Sequence, residues 1–194
     1  MSSKIEIINL GLILAHQPTI FTIDEDNKRA RTAKAVYPIA LSEVLSDRNW
    51  GFAVKRENLS LDAATPEFDW SYGFTKPNDY LKMIQTENDE DYTEEGGLIL
   101  SNNNVLRIKY LFLQENSNVY TPGFVSTLSA RLASIFAISL AQDFALSAQL
   151  DVIYTKRLAL AGSIAAQSGG AKDFIIDDWT DSRFGYPSAN RSGR

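Results

Sequence analysis

Apolar residues recur at helical spacing in four stretches of the chain. Over residues 3–16, Ile5, Ile8, Leu12 and Ala15 fall on one face and Ile7, Leu10 and Leu14 on another, which predicts a mostly buried helix. Gly11 in its interior costs about 1 kcal/mol relative to alanine and so points to a second backbone packed closely against it. Pro18 ends the helix. Thr22 and Glu25 have capping-box spacing, and Asp24 and Asp26 add negative charge beside them, so a second helix is expected from about 24 to 47. Its inward stripe is Ala30, Ala33, Tyr37, Leu41, Val44 and Leu45, and Pro38 inside the pattern predicts a kink. Thr121-Pro122 predicts an N-cap followed by proline at the first helical position. The third helix then runs over 122–142, with Val125, Leu128, Leu132, Ile135 and Phe136 inward. Ser147 is expected to cap a fourth, over 147–168, with Leu150, Ile153, Tyr154, Leu158 and Ala161 inward and Gly169-Gly170 as its stop. The short break between the last two predicts an antiparallel pair.

Between about 50 and 112 the period changes from helical to alternating. Leu106, Ile108 and Tyr110 share one face, Arg107 and Lys109 the other. With Leu98-Ile99-Leu100 before them and Asn102-Asn103-Asn104 between, this predicts a β-hairpin with an Asn-rich turn. Shorter strands are expected over 50–60, 71–75 and 80–86, with Trp50, Phe52, Phe68, Trp70, Tyr72 and Phe74 supplying the core of this segment. The expected architecture is mainly α: an antiparallel bundle of about four helices in a single domain, 1–170, with a small β-rich insertion, followed by an extended tail, 171–194.

The tail keeps no period. It carries six large apolar residues, Phe174, Ile175, Ile176, Trp179, Phe184 and Tyr186, among Asp173, Asp177, Asp178, Asp181 and Arg183. Anchors of this kind dominate interfaces, so Phe174, Trp179, Arg183 and Phe184 are the expected partner-binding residues.

Composition narrows the chemistry. The chain has no cysteine and one histidine, His16, which excludes disulfides, thiolate metal sites, cysteine nucleophiles and paired-histidine zinc sites. His16 reads as a helix-end residue. With no phosphate-binding glycine loop and no nucleophile elbow, neither cofactor, metal nor catalytic residue is expected. A net charge of −5 argues against nonspecific nucleic-acid binding by the free chain. The basic cluster Lys28, Arg29, Arg31 and Lys34 lies next to acids and reads as an exposed helix face. The run from Glu87 to Glu95 reads as a solvated hairpin loop, since it fails the calcium-loop pattern and cannot place two carboxyls across a cleft. Glu6 and Asn9 interrupt the apolar N-terminus, so neither a signal peptide nor a membrane span is expected.

The segments Ile8-Asn9-Leu10-Gly11-Leu12, Ile20 to Ala33 (IFTIDEDNKRARTA), Arg48 to Arg56 (RNWGFAVKR), Phe74 to Leu81 (FTKPNDYL) and Glu95 to Leu100 (EGGLIL), with the paired C-terminal helices and Trp/Arg tail, resemble the head-to-tail adaptor proteins of short-tailed phages, tail tubular protein A. The resemblance covers nearly the whole chain. It implies a structural virion protein, assembled in the host cytoplasm as a twelvefold homo-oligomeric ring between portal protein and tail nozzle protein. Such a ring offers a platform for tail fibres and continues the channel through which DNA passes without sequence-specific binding. It also implies that the C-terminal segment reaches the portal or a neighbouring subunit. Some members are associated with cell-wall or polysaccharide hydrolysis, for which Asp89, Glu94 and Glu95 are the carboxylates this sequence offers.

Overall fold

The computed structural model describes residues 2–63 and 66–168. Helix α1 (Lys4–Leu14) opens with a reciprocal capping box. The Ser3 hydroxyl accepts from the Glu6 N–H at 3.2 Å and the Glu6 carboxylate accepts from the Ser3 N–H at 2.8 Å. It closes in a Schellman turn, in which the Gln17 N–H donates to the Leu12 carbonyl at 2.8 Å and the His16 N–H to the Ile13 carbonyl at 3.0 Å. That turn holds His16 at φ 56°, a left-handed conformation that costs a residue with a β-carbon roughly 1–2 kcal/mol. Replacing His16 by glycine is therefore expected to stabilise the fold by about 1 kcal/mol, read as a higher urea midpoint with an unchanged slope. Ile7, Ile8, Leu12 and Ala15 are buried, whereas Leu10 and Ile13 open to solvent. Only one face of α1 is covered, which corrects the expectation of a mostly buried helix.

Helix α2 (Lys28–Ser46) begins later than the sequence suggests. Its cap is Asn27, whose side chain accepts from the Ala30 N–H at 2.8 Å. The Thr22 hydroxyl instead accepts from Asp24 two residues on, at 3.3 Å, and Glu25 accepts from the N–H groups of Phe21 and Thr22. Thr22 and Glu25 thus make a turn rather than a helix start. The helix runs on through Pro38, which lies on the exposed side, where the Lys34 carbonyl that loses its donor is least costly to leave without an intrahelical bond.

Helix α3 (Pro122–Ser139) is capped by Thr121, whose hydroxyl accepts from the Phe124 N–H at 3.3 Å, and it packs against α1, α2 and α4. Helix α4 (Phe144–Ser168) starts at Asp143, whose carboxylate accepts from the Leu146 N–H at 2.9 Å. Ser147, the expected cap, is buried inside the first turn and donates its hydroxyl to the Ser134 carbonyl of α3 at 2.9 Å.

Six strands form two antiparallel sheets. β1 (Val54–Asn58), β6 (Arg107–Phe112) and β3 (Tyr80–Thr86) lie in the order β1-β6-β3, and β2 (Tyr72–Thr75), β5 (Leu98–Ser101) and β4 (Tyr92–Glu95) in the order β2-β5-β4. Gly96 and Gly97, at φ 57° and 86°, make the two-residue turn of the β4–β5 hairpin. The expected β5–β6 hairpin does not form. Both edges of β5 are taken by β2 and β4, so Asn102–Asn104 carries the chain from one sheet to the other.

Two buried clusters hold the fold. The larger joins the four helices to Trp50, Ala53 and Leu111, with Val54, Leu81 and Ile84 packed against it. The smaller lies between the sheets and contains Leu59, Phe74, Met83, Ile99, Leu106, Ile108 and Tyr110. Because the β1-β6-β3 sheet contributes to both cores and a second sheet completes the smaller one, the strands form a second layer of the architecture with a core of its own. The fold is α+β, which overturns the expected mainly-α bundle with a small β-rich insertion. The aromatics divide accordingly. Trp50 and Phe52 pack edge-on to Phe124 at 4.9 and 5.0 Å in the helical core, Phe74 fills the inter-sheet core, and Phe68 is exposed.

Candidate interaction surfaces

Three features bind the frame together and leave particular surfaces free. The first is an ionic clamp across the helices. Arg131 of α3 donates to both oxygens of Glu43 on α2, at 2.8 and 2.6 Å, and to Asp151 of α4 at 3.2 Å. The bidentate pairing with Glu43 raises the Arg131 pKa further above its ordinary value. Tyr154 of α4 donates its hydroxyl to Asp47 at the end of α2, beside the Arg131 guanidinium.

The second is the loop between α1 and α2. The Asn9 side chain both donates to the Ile20 carbonyl and accepts from the Ile20 N–H, each at 2.9 Å, like one rung of a sheet. Asp24 pairs with Lys34 at 2.7 Å and Asp26 with Arg31 at 3.2 Å, so two members of the basic cluster are countered on the exposed face, as their neighbours in sequence suggest. Phe21 stands out from this tethered loop, 94% exposed.

The third lies between the sheets, where Tyr110 donates its hydroxyl to Glu57 at 2.9 Å and Asp79 at 3.2 Å, and Lys55 pairs with Asp79. Nearby, Glu94 accepts from Lys76 and from the Tyr80 hydroxyl, each at 2.7 Å. Partial burial pushes Glu94 up, but hydrogen bonds from Lys76 and Tyr80 outweigh it and leave the carboxyl below its usual range. Residues 92–95 are therefore strand β4, not the solvated loop expected. Glu95, the next residue on the strand, projects to the opposite sheet face, so these two carboxylates do not converge.

The outer side of α4 is a candidate contact surface. Ala148, Val152, Lys156, Leu160 and Ile164 follow at four-residue steps and form one exposed ridge, with Val152 at 53%, Leu160 at 62% and Ile164 at 57%. Lys156 is the one charge in it. Ile153, expected to point inward, is also exposed. The sequence signal is present: this second apolar row interleaves with the inward row of Leu150, Leu158 and Ala161, and a solvated helix carries no such row. On the other side of α3, Leu10, Ile13 and Leu14 of α1, Pro122 and Val125 of α3 and Arg157 of α4 line a groove of about 560 Å³.

Phe174, Trp179, Arg183 and Phe184, the residues expected to bind a partner, lie outside the described residues. Among the described residues no helix is long and apolar enough to cross a membrane, and no group of three or more His, Asp or Glu side chains is placed to hold a metal ion. Compared with known proteins, the chain matches no protein-family model and no curated protein sequence.

Proposed function

We propose that this chain is a structural virion protein, the head-to-tail adaptor that its sequence resembles. Copies of it assemble side by side into a ring between portal and tail nozzle, and the tail from 171 onward reaches the portal or the next copy. The observation that supports this reading best is the apolar ridge of α4. The helix is about 37 Å long at 1.5 Å per residue, its inner face is already used by α3, and its outer face is built like a contact surface rather than a solvated one. A second copy of this chain is its occupant. The ionic clamp suits the same role, since it fixes α4 against α2 and α3 and presents the ridge on a rigid element.

The ridge gives a direct test. Val152 and Leu160 are exposed in the single chain, so the double substitution Val152→Asp, Leu160→Asp is expected to change its unfolding free energy by no more than about 0.5 kcal/mol. Assembly, followed by native mass spectrometry in the presence of portal, is expected to be lost. A variant that still forms complete rings would remove α4 from the interface.

A further inference from the structure

The β1-β6-β3 sheet places two cations directly opposite each other, neither of them in an ion pair among the described residues. Arg56 of β1 is the cross-strand partner of Lys109 of β6, and the residue on the other side of Lys109 is Gln85 of β3, not an acid. Side chains directly opposite in an antiparallel pair have β-carbons about 4.5–5.5 Å apart, and like charges there work against the sheet. Two residues along β6 on the same face stands Arg107, opposite Asn58 and paired with Glu87 at 2.9 Å. Glu57, which neighbours Arg56 in sequence, is turned to the opposite face, where it accepts from Tyr110. Among the described residues neither Arg56 nor Lys109 has an acidic partner.

These side chains line a recess of about 440 Å³ at the end of the sheet beyond the helices. Its lining offers guanidinium, ammonium and amide donors; the two carboxylates that also line it are engaged elsewhere, Glu87 by Arg107 and Glu57 by the Tyr110 hydroxyl, and it contains no aromatic ring. In a chain of net charge −5, a like-charged cross-strand pair with neither member in an ion pair is the kind of local conflict that folding alone does not explain.

We infer that this recess is a contact site for the phosphate backbone of DNA. Arg, Lys, Asn and Gln are among the side chains that bond phosphate oxygens, a contact that carries no base readout, and the lack of a stacking ring suits a duplex, whose bases are already stacked, rather than a single strand. A phosphate supplies the counter-charge that Arg56 and Lys109 lack in the protein. The inference extends the proposed DNA conduit to named residues, and it applies to a single protomer, so it can be tested without a ring.

The test is fluorescence anisotropy of a labelled duplex oligonucleotide with the full chain at low salt. Two unpaired cations on phosphates give a log–log salt slope of about −1.8, and Arg56→Gln with Lys109→Gln is expected to weaken binding at least tenfold and to remove most of that slope. The same double variant is expected to melt at a higher temperature than the wild type, because the like-charge row is gone. Lys28→Gln, on the exposed face of α2, is expected to leave DNA binding unchanged. Wild-type binding that survives the double variant, or polyglutamate that competes as well as DNA does, would overturn the assignment. Ring formation on the portal is read separately, so loss of one conclusion does not take the other with it.

Discussion

Replacing Gly11 by valine is expected to cost the fold roughly 3 kcal/mol, and replacing it by alanine about 1–2 kcal/mol, although alanine alone gains about 1 kcal/mol of helix propensity. A β-carbon at position 11 would stand 3.0 Å from the Leu132 β-carbon and 3.2 Å from the Ser129 carbonyl oxygen, with the Phe136 ring at 3.4 Å. None of these is the free end of a flexible side chain. Relief requires α1 to move off α3, and α3 is the helix on which the other three pack. Gly51, with nothing within 4 Å of its would-be β-carbon, provides the control: Gly51→Ala is expected to be close to neutral. Chemical denaturation of the three variants measures the difference, and a Gly11→Ala protein as stable as Gly51→Ala would show that the α1–α3 contact is looser than described.

Loss of the Tyr110 hydroxyl is expected to be nearly as damaging for the second core. The ring is fully buried between the sheets, and its hydroxyl is shared by Glu57 and Asp79. Tyr110→Phe keeps the packing but removes a donor from two carboxylates, with an expected loss of about 1.5–3 kcal/mol for hydrogen bonds to charged groups. The same geometry sets an alkaline limit. Burial, then the neighbouring carboxylates Glu57 and Asp79, raise the Tyr110 pKa well above the ordinary tyrosine value. Burial likewise raises Tyr80, Tyr120 and Tyr154, with Glu94 adding to the first and Asp47 to the last. A group whose folded pKa is raised contributes stability that is whole below the unfolded value and is lost as pH climbs above it. Stability is therefore expected to hold to about pH 10, where free tyrosine ionises, and to fall steeply beyond. Tyrosinate absorbance at 295 nm that rises smoothly through pH 10 for all eight tyrosines, without an unfolding step, would contradict this.

The sequence was most informative where one residue type does a job by itself. Gly11 is recognisable as a close approach and Thr121-Pro122 as a helix start, because each depends on local backbone chemistry. Strand positions over 71–75 and 80–86 were readable from alternation. Pairing was not, because the choice of β2 and β4 rather than β6 as neighbours of β5 depends on which edges are free once the helices have packed. The misplaced start of α2 has a local origin: Glu25 makes its half of a capping box by accepting from the Thr22 N–H, but the Thr22 hydroxyl accepts from Asp24 rather than from Glu25, so the box stays incomplete and Asn27 caps the helix instead. The weight of the β layer was underestimated since Leu111, Val54 and Ile84 pack with helices far from them in sequence. The outer ridge of α4 is visible in the sequence as a second apolar row, but nothing local distinguishes it from the inner row that packs on α3.

The measurement that bears most directly on the proposed function is imaging and native mass of the purified chain mixed with its portal, beside a truncation ending at Gly170. The adaptor reading predicts closed rings seated on the portal with the full chain, and their loss with the truncated one. A full-length chain that stays monomeric and ignores the portal would contradict it.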